Sequence, residues 1–302
     1  MNAFIRGISY YLPQRNISNE ELIKEFPEWS VEKVANKIGI NLRHISSNDE
    51  TSADMAVMAA RKLFEELSIA PDQIDFVILC TQSPDYFLPT TACIIQNKLG
   101  IPITAGALDF NLGCSGFVYG LALAKGLIFG GIAKNILLLT SETYSKFIHP
   151  RDKSNLTIFG DAAAATLISD NGFAEIFNFS LGTDGSGADN LIVKTGGLRN
   201  PQPLNDLIFD DQGNPSSSDH LCMDGTEILN FTLETIPKLV TETLFKNSME
   251  HDDIDLFVFH QANKYILNFL RKKIGIPEGK FYYHISEVGN TVSSTIPIAI
   301  YE

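Results

Sequence analysis

The sequence is short of positive charge. Its 23 Lys and Arg stand against 36 Asp and Glu, for a net charge of −13. That balance excludes a broad nucleic-acid footprint, and an anionic membrane repels the chain as a whole, leaving only local basic patches. The sequence is also poor in cysteine. Cys80, Cys93, Cys114 and Cys222 are scattered without any CxxC spacing, which argues against both a disulfide framework and a zinc site; no metal is expected. No apolar run reaches the length of a membrane span, and the opening MNAFIRGISYYLP lacks the apolar core of a signal peptide. These absences together predict a soluble, reduced, cytoplasmic protein.

What is present is an alternation of two patterns. VILCTQ, ALDF, NILLLT and LFVFH are short apolar runs of the buried-strand kind. Ser52–Leu67, Thr90–Leu99, Cys114–Phe129, Gly225–Phe245 and Ala262–Ile274 carry helical periodicity. The alternation predicts an α/β fold with largely parallel strands. At 302 residues the chain is long enough for one large core or two ordinary ones.

Two segments echo each other. LFEELSIAPDQIDFVILC (63–80) resembles LFKNSMEHDDIDLFVFH (244–260), and the helices that follow end in QNKLGIP (96–102) and RKKIGIP (271–277). Beyond them Gly113-Cys114-Ser115 faces Gly289-Asn290-Thr291. Elements that match in order and spacing indicate a duplicated domain, with halves at 1–175 and 176–302. The first copy inserts SPDYFLP (83–89). The stretch 183–224, rich in Gly, Asn, Asp, Ser and Pro, reads as loops.

The duplication places chemistry-bearing residues together. Ligands bind at the carboxyl ends of parallel strands. His260 ends LFVFH, while Cys114 and Asn290 each follow a strand at the start of a helix. Cys114 between glycines is either core filling or a nucleophile. A helix N-terminus would stabilise its thiolate. His260 is either a core histidine or a donor to a developing oxyanion. Asn290 is either a helix cap or a second donor through its amide. The other histidines (His44, His149, His220, His251, His284) read as surface or loop. FGDAAAATLI (159–168) reads as tight packing, and GTDGSG as a turn, since it lacks the Lys-Ser/Thr of a phosphate loop.

At GCSG, HQAN and GNT, and along essentially the whole chain, the sequence resembles the β-ketoacyl-(acyl carrier protein) synthase III family of the thiolase superfamily. The likeness includes GISYYLP, IGINLRHIS (38–46), TTACIIQNKLGI (90–101), HQANKYI (260–266) and GNTVSSTIPIA (289–299). The resemblance implies a thiolase-like five-layered αβαβα fold from two duplicated halves, and a homodimer. It implies decarboxylative condensation of an acyl primer, held on Cys114, with a malonyl thioester of an acyl carrier protein, in fatty acid or related acyl-chain biosynthesis. Cys114, His260 and Asn290 are then the catalytic residues. Phe87, Leu88 and Phe159 border the acyl pocket, the first two from the partner subunit. Arg271, Lys272 and Lys273 dock the carrier. No cofactor is expected beyond acyl-CoA or acyl-carrier thioesters. The alternatives are an acyltransferase of this fold that delivers the acyl group to an alcohol or amine, and a non-catalytic partner subunit.

Two departures from the family pattern stand out. The chain stops at Tyr301-Glu302, inside the helix after GNT, so a truncated C-terminus lacking one oxyanion-hole turn is expected. The family clamps CoA adenine between a Trp and an Arg, positions that here fall on Lys33 and Lys153, with Trp29 four residues before Lys33. Lysine offers no planar face to adenine, so a carrier-borne primer is expected.

Overall fold

The structure, a computed structural model, describes residues 2–26 and 30–302. The elements run β1 Phe4–Tyr11, β2 Asn16–Ser18, α1 Asn19–Glu25, α2 Val31–Ile38, β3 Leu42–His44, α3 Ser52–Leu67, β4 Phe76–Cys80, α4 Thr91–Leu99, β5 Gly106–Phe110, α5 Gly116–Phe129 and β6 Ile136–Glu142. They continue with α6 Lys153–Leu156, β7 Ala162–Ser169, β8 Ala174–Glu175, the short β9 Leu191–Ile192, β10 Ile208–Phe209, β11 Pro215–Ser216 and β12 Cys222–Met223, then α7 Gly225–Lys246, α8 Lys264–Ile274 and α9 Thr295–Tyr301.

The core is a six-stranded sheet in the order β5-β4-β6-β7-β1-β8. Strand alternation divides its side chains between two helical layers. Val77, Leu79, Leu137 and Leu139 pack against Ala53, Ala56, Ala60 and Leu63 of α3 and Ile95 of α4. Ile78, Ile136 and Leu138 pack on the opposite face against Phe117, Ala124 and Ile128 of α5, joined by Ile296 and Ile300 of α9. Fully burying one such side chain contributes roughly 1.5–3 kcal/mol. α3 begins in a capping box, with Thr51 and Asp54 each satisfying the other's backbone N–H.

The sheet is mixed rather than largely parallel. Only β4 pairs in parallel, with β5 and β6, whereas β6–β7, β7–β1 and β1–β8 are antiparallel. FGDAAAATLI is the reason. Its alanines form the wholly buried strand β7, whose small side chains give the tight packing expected of them and admit helices closely on both faces. LFVFH also differs from expectation. It forms no strand; Phe257 makes one parallel bridge to Phe281, and Leu256 is half exposed. Among the described residues only Phe257 pairs there, donating its N–H to Lys280 C=O at 2.7 Å and accepting the Tyr282 N–H at 3.0 Å, which is too little for a ladder. The loop region 183–224 contains two minimal antiparallel pairs, β9–β12 and, between them in the chain, β10–β11, and GTDGSG leads into a 3-10 turn over Gly185–Asn190. His44 lies on β3, its Nδ1 2.7 Å from the Pro13 carbonyl, and is not a loop histidine.

α5 meets the sheet closely because Gly116 has no side chain. A Cβ there would stand 2.2 Å from Cys80 Sγ. Gly116→Ala should therefore destabilise the protein by about 1–3 kcal/mol, as overpacking does. Adding Cys80→Ala should recover most of that loss in urea denaturation; a double variant no more stable than Gly116→Ala refutes the contact.

Candidate functional site

Each candidate is delivered by a different backbone device. Cys114 lies in the tight turn between β5 and α5, closed by the Gly116 N–H to Gly113 C=O bond of 2.8 Å. His260 precedes α8. Gln261, wholly buried, donates from Nε2 to Phe259 C=O and accepts the His284 N–H, each at 2.8 Å, which fixes the segment. Asn263 then caps α8 by accepting the Ile266 N–H at 2.9 Å. Asn290 is held by backbone bonds on both sides. Its N–H donates to Ile158 C=O at 2.9 Å, and its C=O accepts the Gly160 N–H at 3.0 Å.

These three segments converge on Val292. Asn290 Oδ1 accepts the Val292 N–H at 2.9 Å, so Asn290 is not a helix cap of the usual kind and its NH2 faces away from that bond. The His260 ring bonds the Val292 carbonyl. His260 Nδ1 also lies 2.7 Å from Thr295 Oγ1, whose hydroxyl donates to the same carbonyl at 3.1 Å. With that hydroxyl proton committed, Oγ1 accepts from Nδ1–H, and Nε2 keeps its lone pair. The Cys114 turn abuts the same residue: Val292 Cγ1 is 3.4 Å from where a Cβ on Gly113 would lie, and Ser293 Cβ is 3.5 Å from the same position on Gly116.

The electrostatics favour neutral groups. Cys114 keeps accessible surface, yet the protein packed around its sulfur pushes the thiol up to about 12. Its own backbone N–H opposes the shift and Glu142 adds to it. The helix-start thiolate expected from the sequence is thus overridden by desolvation. Burial likewise lowers His260 to about 4, so the imidazole is uncharged at neutral pH. Glu142 lies near Cys114, raised by burial to about 8 although Gln82 N–H, Ser83 Oγ and Ser293 Oγ all donate to it, at 3.0, 3.3 and 2.9 Å.

The remaining predicted residues scatter. Phe159 is buried, its ring 5.1 Å from that of Tyr144, and it forms a parallel bridge with Asn290. Phe87 and Leu88 stand 77 and 83 % exposed, away from the chain's own core. Arg271 is not a free docking cation. It is half-buried, donates from Nη1 to Ile276 C=O at 3.2 Å and lies 3.9 Å from Glu278. Lys272 instead joins Lys37, Lys264, Tyr265 and Phe269 around a groove of about 250 Å³ between α2 and α8. Beside it a cavity of about 400 Å³ runs between Val34, Ile38, Thr157, Ile158 and Asn263. Ile158 and Asn263 also adjoin Asn290 and the His260 segment, so this cavity leads toward the site. Lys153 Nζ lies 5.5 Å from the centre of the Phe26 ring. Trp29 and the side chain of Lys33 lie outside the described residues.

Sequence reasoning missed Gln82, Glu142, Tyr144 and Thr295. Gln82 and Glu142 sit at the carboxyl ends of β4 and β6, so the strand-end rule that found His260 reaches them too. Thr295 carried no signal, because only the turn through Val292 brings its hydroxyl to the imidazole.

The chain matches the family described as 3-oxoacyl-[acyl-carrier-protein (ACP)] synthase III over residues 108–185, and the C-terminal part of that family over 244–302. It is 38 % identical over 302 residues to a β-ketoacyl-[acyl-carrier-protein] synthase III of Clostridium perfringens, covering all of this chain and 90 % of the relative. The corresponding protein of Fusobacterium nucleatum is 32 % identical over 303 residues, covering 99 % of this chain and 88 % of the relative. A crystal structure of a 3-oxoacyl-(acyl-carrier-protein) synthase III superposes with a TM-score of 0.96 at 49 % identity, over 99 % of this chain and 90 % of that one.

The raised thiol of Cys114 has a direct consequence. Its alkylation by iodoacetamide should rise about tenfold per pH unit from pH 7 to pH 10 without levelling off, since only the thiolate reacts. A plateau already reached by pH 8, read by peptide mass spectrometry at Cys114, refutes the desolvated thiol.

Proposed function

The chain belongs to the 3-oxoacyl-[acyl-carrier-protein] synthase III family and has its thiolase-like α/β fold, and from that premise we propose that it condenses an acyl primer with malonyl-acyl carrier protein. It is an acyltransferase of fatty acid or related acyl-chain biosynthesis. The observation that carries the reading is the convergence of Cys114, His260 and Asn290 on Val292. It unites a nucleophile, a neutral base and an amide donor at one residue.

Cys114 Sγ attacks the primer thioester as its proton passes to the lone pair of His260 Nε2. That proton leaves with the departing thiol, and the acyl group remains on Cys114. The malonyl thioester then loses CO2, and its electron pair moves onto the thioester oxygen. The enolate needs donors already in place. Asn290 supplies its amide NH2, whose orientation the Oδ1–Val292 bond sets. His260 supplies Nε2–H in its other neutral tautomer, reached when Nδ1 gives its proton to water and Nε2 takes one from water, with the Thr295 hydroxyl then donating to Nδ1. The enolate carbon attacks the acyl carbonyl, and the thiolate released from Cys114 takes up a proton. Because both Cys114 and His260 rest uncharged, no buried ion has to be sustained between turnovers.

The substrate arm enters through the cavity between Ile158 and Asn263. The lysines at the neighbouring groove, Lys37, Lys264 and Lys272, receive the carrier, and Lys273 follows Lys272 in the last turn of α8. Lys153 offers charge but no flat face for adenine, which favours a carrier-borne primer. We read the enzyme as a cytoplasmic homodimer. The four cysteines are free, and the exposed Phe87 and Leu88 are suited to a subunit contact. No helix among the described residues is long and apolar enough to cross a membrane. The halves 1–175 and 176–302 divide the labour, the first carrying Cys114 and the second His260 and Asn290.

Mass spectrometry of the protein mixed with an acyl thioester should find the acyl mass on Cys114 alone. Cys114→Ser should abolish it, and acylation at Cys80, Cys93 or Cys222 instead would overturn the assignment. Asn290→Ala should keep acylation and lose malonyl decarboxylation by about 10²-fold or more, the usual loss for one oxyanion donor. Equal loss of both steps would exclude the role given to Asn290. Lys264→Glu with Lys272→Glu should raise KM for the malonyl carrier about tenfold with kcat kept, as for charges at the edge of an interface. An unchanged KM would place docking elsewhere.

A further inference from the structure

The backbone bonds that hold Asn290 share one support. Arg43, on β3, is 1 % exposed. Its Nε and Nη2 both donate to Thr157 C=O, at 3.0 and 2.5 Å, and Nη1 donates to Asn19 Oδ1 at 2.6 Å. Asn19 is itself fixed, its Nδ2 donating to Ile40 C=O at 2.8 Å. The stem of Arg43 lies against two glycines. Its Cβ is 3.5 Å from where a Cβ on Gly160 would be, and its Cγ is 3.2 Å from the same position on Gly289. Gly160 N–H donates to Asn290 C=O, and Gly289 precedes Asn290. Thr157 precedes Ile158, whose C=O accepts the Asn290 N–H. Each backbone group that fixes Asn290 thus lies in, or next to, a residue that Arg43 touches.

The acceptors of Arg43 among the described residues are a carbonyl and an amide, both uncharged. Burial pulls its pKa down to about 10, with no charged neighbour opposing the shift. A buried charge without a counter-ion is costly to keep. What the guanidinium supplies in return is direction. Two N–H groups of one planar fork fix a single carbonyl, which a lysine ammonium cannot do. Cys114 and His260 are held by other means, the first by the turn between Gly113 and Gly116, the second by Gln261 and Thr295.

We propose that Arg43 is the positioning residue for Asn290, and that through it Arg43 serves malonyl decarboxylation and not primer transfer. The proposal rests on the donor role given to Asn290 above. Arg43 is too deeply buried to meet a substrate itself. It fixes residues 157–160 against 289–290, and where those segments stand decides where the Asn290 amide is aimed. Misplacing a catalytic group by about 1 Å costs up to about 10²-fold in rate.

The test measures the two half-reactions of the full chain separately. Acyl transfer to Cys114 is followed by intact-mass spectrometry with an acetyl thioester, and decarboxylation by CO2 release from a malonyl thioester. Arg43→Met, which keeps the length and loses the fork, should lower decarboxylation about 10²-fold, and Arg43→Lys about tenfold, in kcat with KM for the malonyl thioester kept. Asn19→Ala, which removes only the acceptor of Nη1, should lower it about threefold, the scale of one neutral hydrogen bond. Acylation should stay within about threefold of wild type in all three. Arg43→Lys and Asn19→Ala carry the test if Arg43→Met does not fold. Added to Asn290→Ala, Arg43→Lys should lower decarboxylation no further, because it acts only through that amide. A merely structural role would slow both half-reactions alike and lower the double variant again. Either result in variants with native near-ultraviolet circular dichroism overturns the proposal alone, as does unchanged decarboxylation in Arg43→Lys. Decarboxylation kept in Asn290→Ala itself overturns the donor role of Asn290 and this proposal with it.

Discussion

The backbone of Val292 is the constraint on which the site depends. A β-branched residue at φ 55° occupies the left-handed region, which such side chains rarely enter. The strain costs on the order of 1–3 kcal/mol and persists only where the surroundings over-determine it. Here they do. The N–H is held by Asn290 Oδ1, the carbonyl by Thr295 and His260, and the side chain is 1 % exposed among Tyr144, Phe159 and Leu221. Gly289 at φ 69° and the preceding backbone bonds deliver the chain into that turn. Because the N–H and C=O of one residue orient both the amide and the imidazole, and its φ is fixed, the two donors are held relative to each other. That coupling is what preorganised stabilisation of an enolate needs.

A second feature is that the centre is built to stay uncharged. Cys114, His260 and Glu142 are all shifted toward their neutral forms by the same cause, loss of water around them. Glu142 is the structural counterpart of Val292 on the sheet side. It accepts from Gln82 and Ser83 at the end of β4 and from Ser293 in the turn after Val292, tying the two walls of the site through one carboxyl group. Asp161 does the same one layer out, accepting from Ser46 and Ser145 through both backbone N–H and hydroxyl groups. Polar groups this deep are tolerated because their acceptor positions are filled.

The basic groove resolves an apparent mismatch of charge. The chain is strongly acidic overall, yet Lys37, Lys264 and Lys272 gather where α2 meets α8. Gly39, at φ 77°, permits that meeting, since a Cβ there would overlap the Lys264 side chain at 2.4 Å. Of the three cations that end α8, the helix consumes one. Arg271 folds back onto Ile276 C=O, satisfying a carbonyl beyond the helix end, and only its neighbours remain for a partner.

Much of this was legible in the residues. Periodicity located α3 to the residue and α5, α7 and α8 to within two, because amphipathic spacing and Gly or Asn at their ends are local properties. The order of Cys, HQAN and GNT, with the internal repeat, pointed to one shared site. Strand direction was not legible, since Ala162–Ser169 looks like any small-residue run until β6 and β1 flank it. Nor could LFVFH be known to lack a ladder, because pairing is a property of two segments. The ionisation of Cys114 was misjudged for the same reason. The helix start that lowers a thiol's pKa is written locally, while the loss of water that raises it, with the charge of Glu142 adding to it, comes from segments distant in sequence. The sequence by itself determined which chemical groups are available and which helices carry them. Only the tertiary structure decided their charge states and the hydrogen bonds that orient them, because each is set by what long-range packing takes away from water.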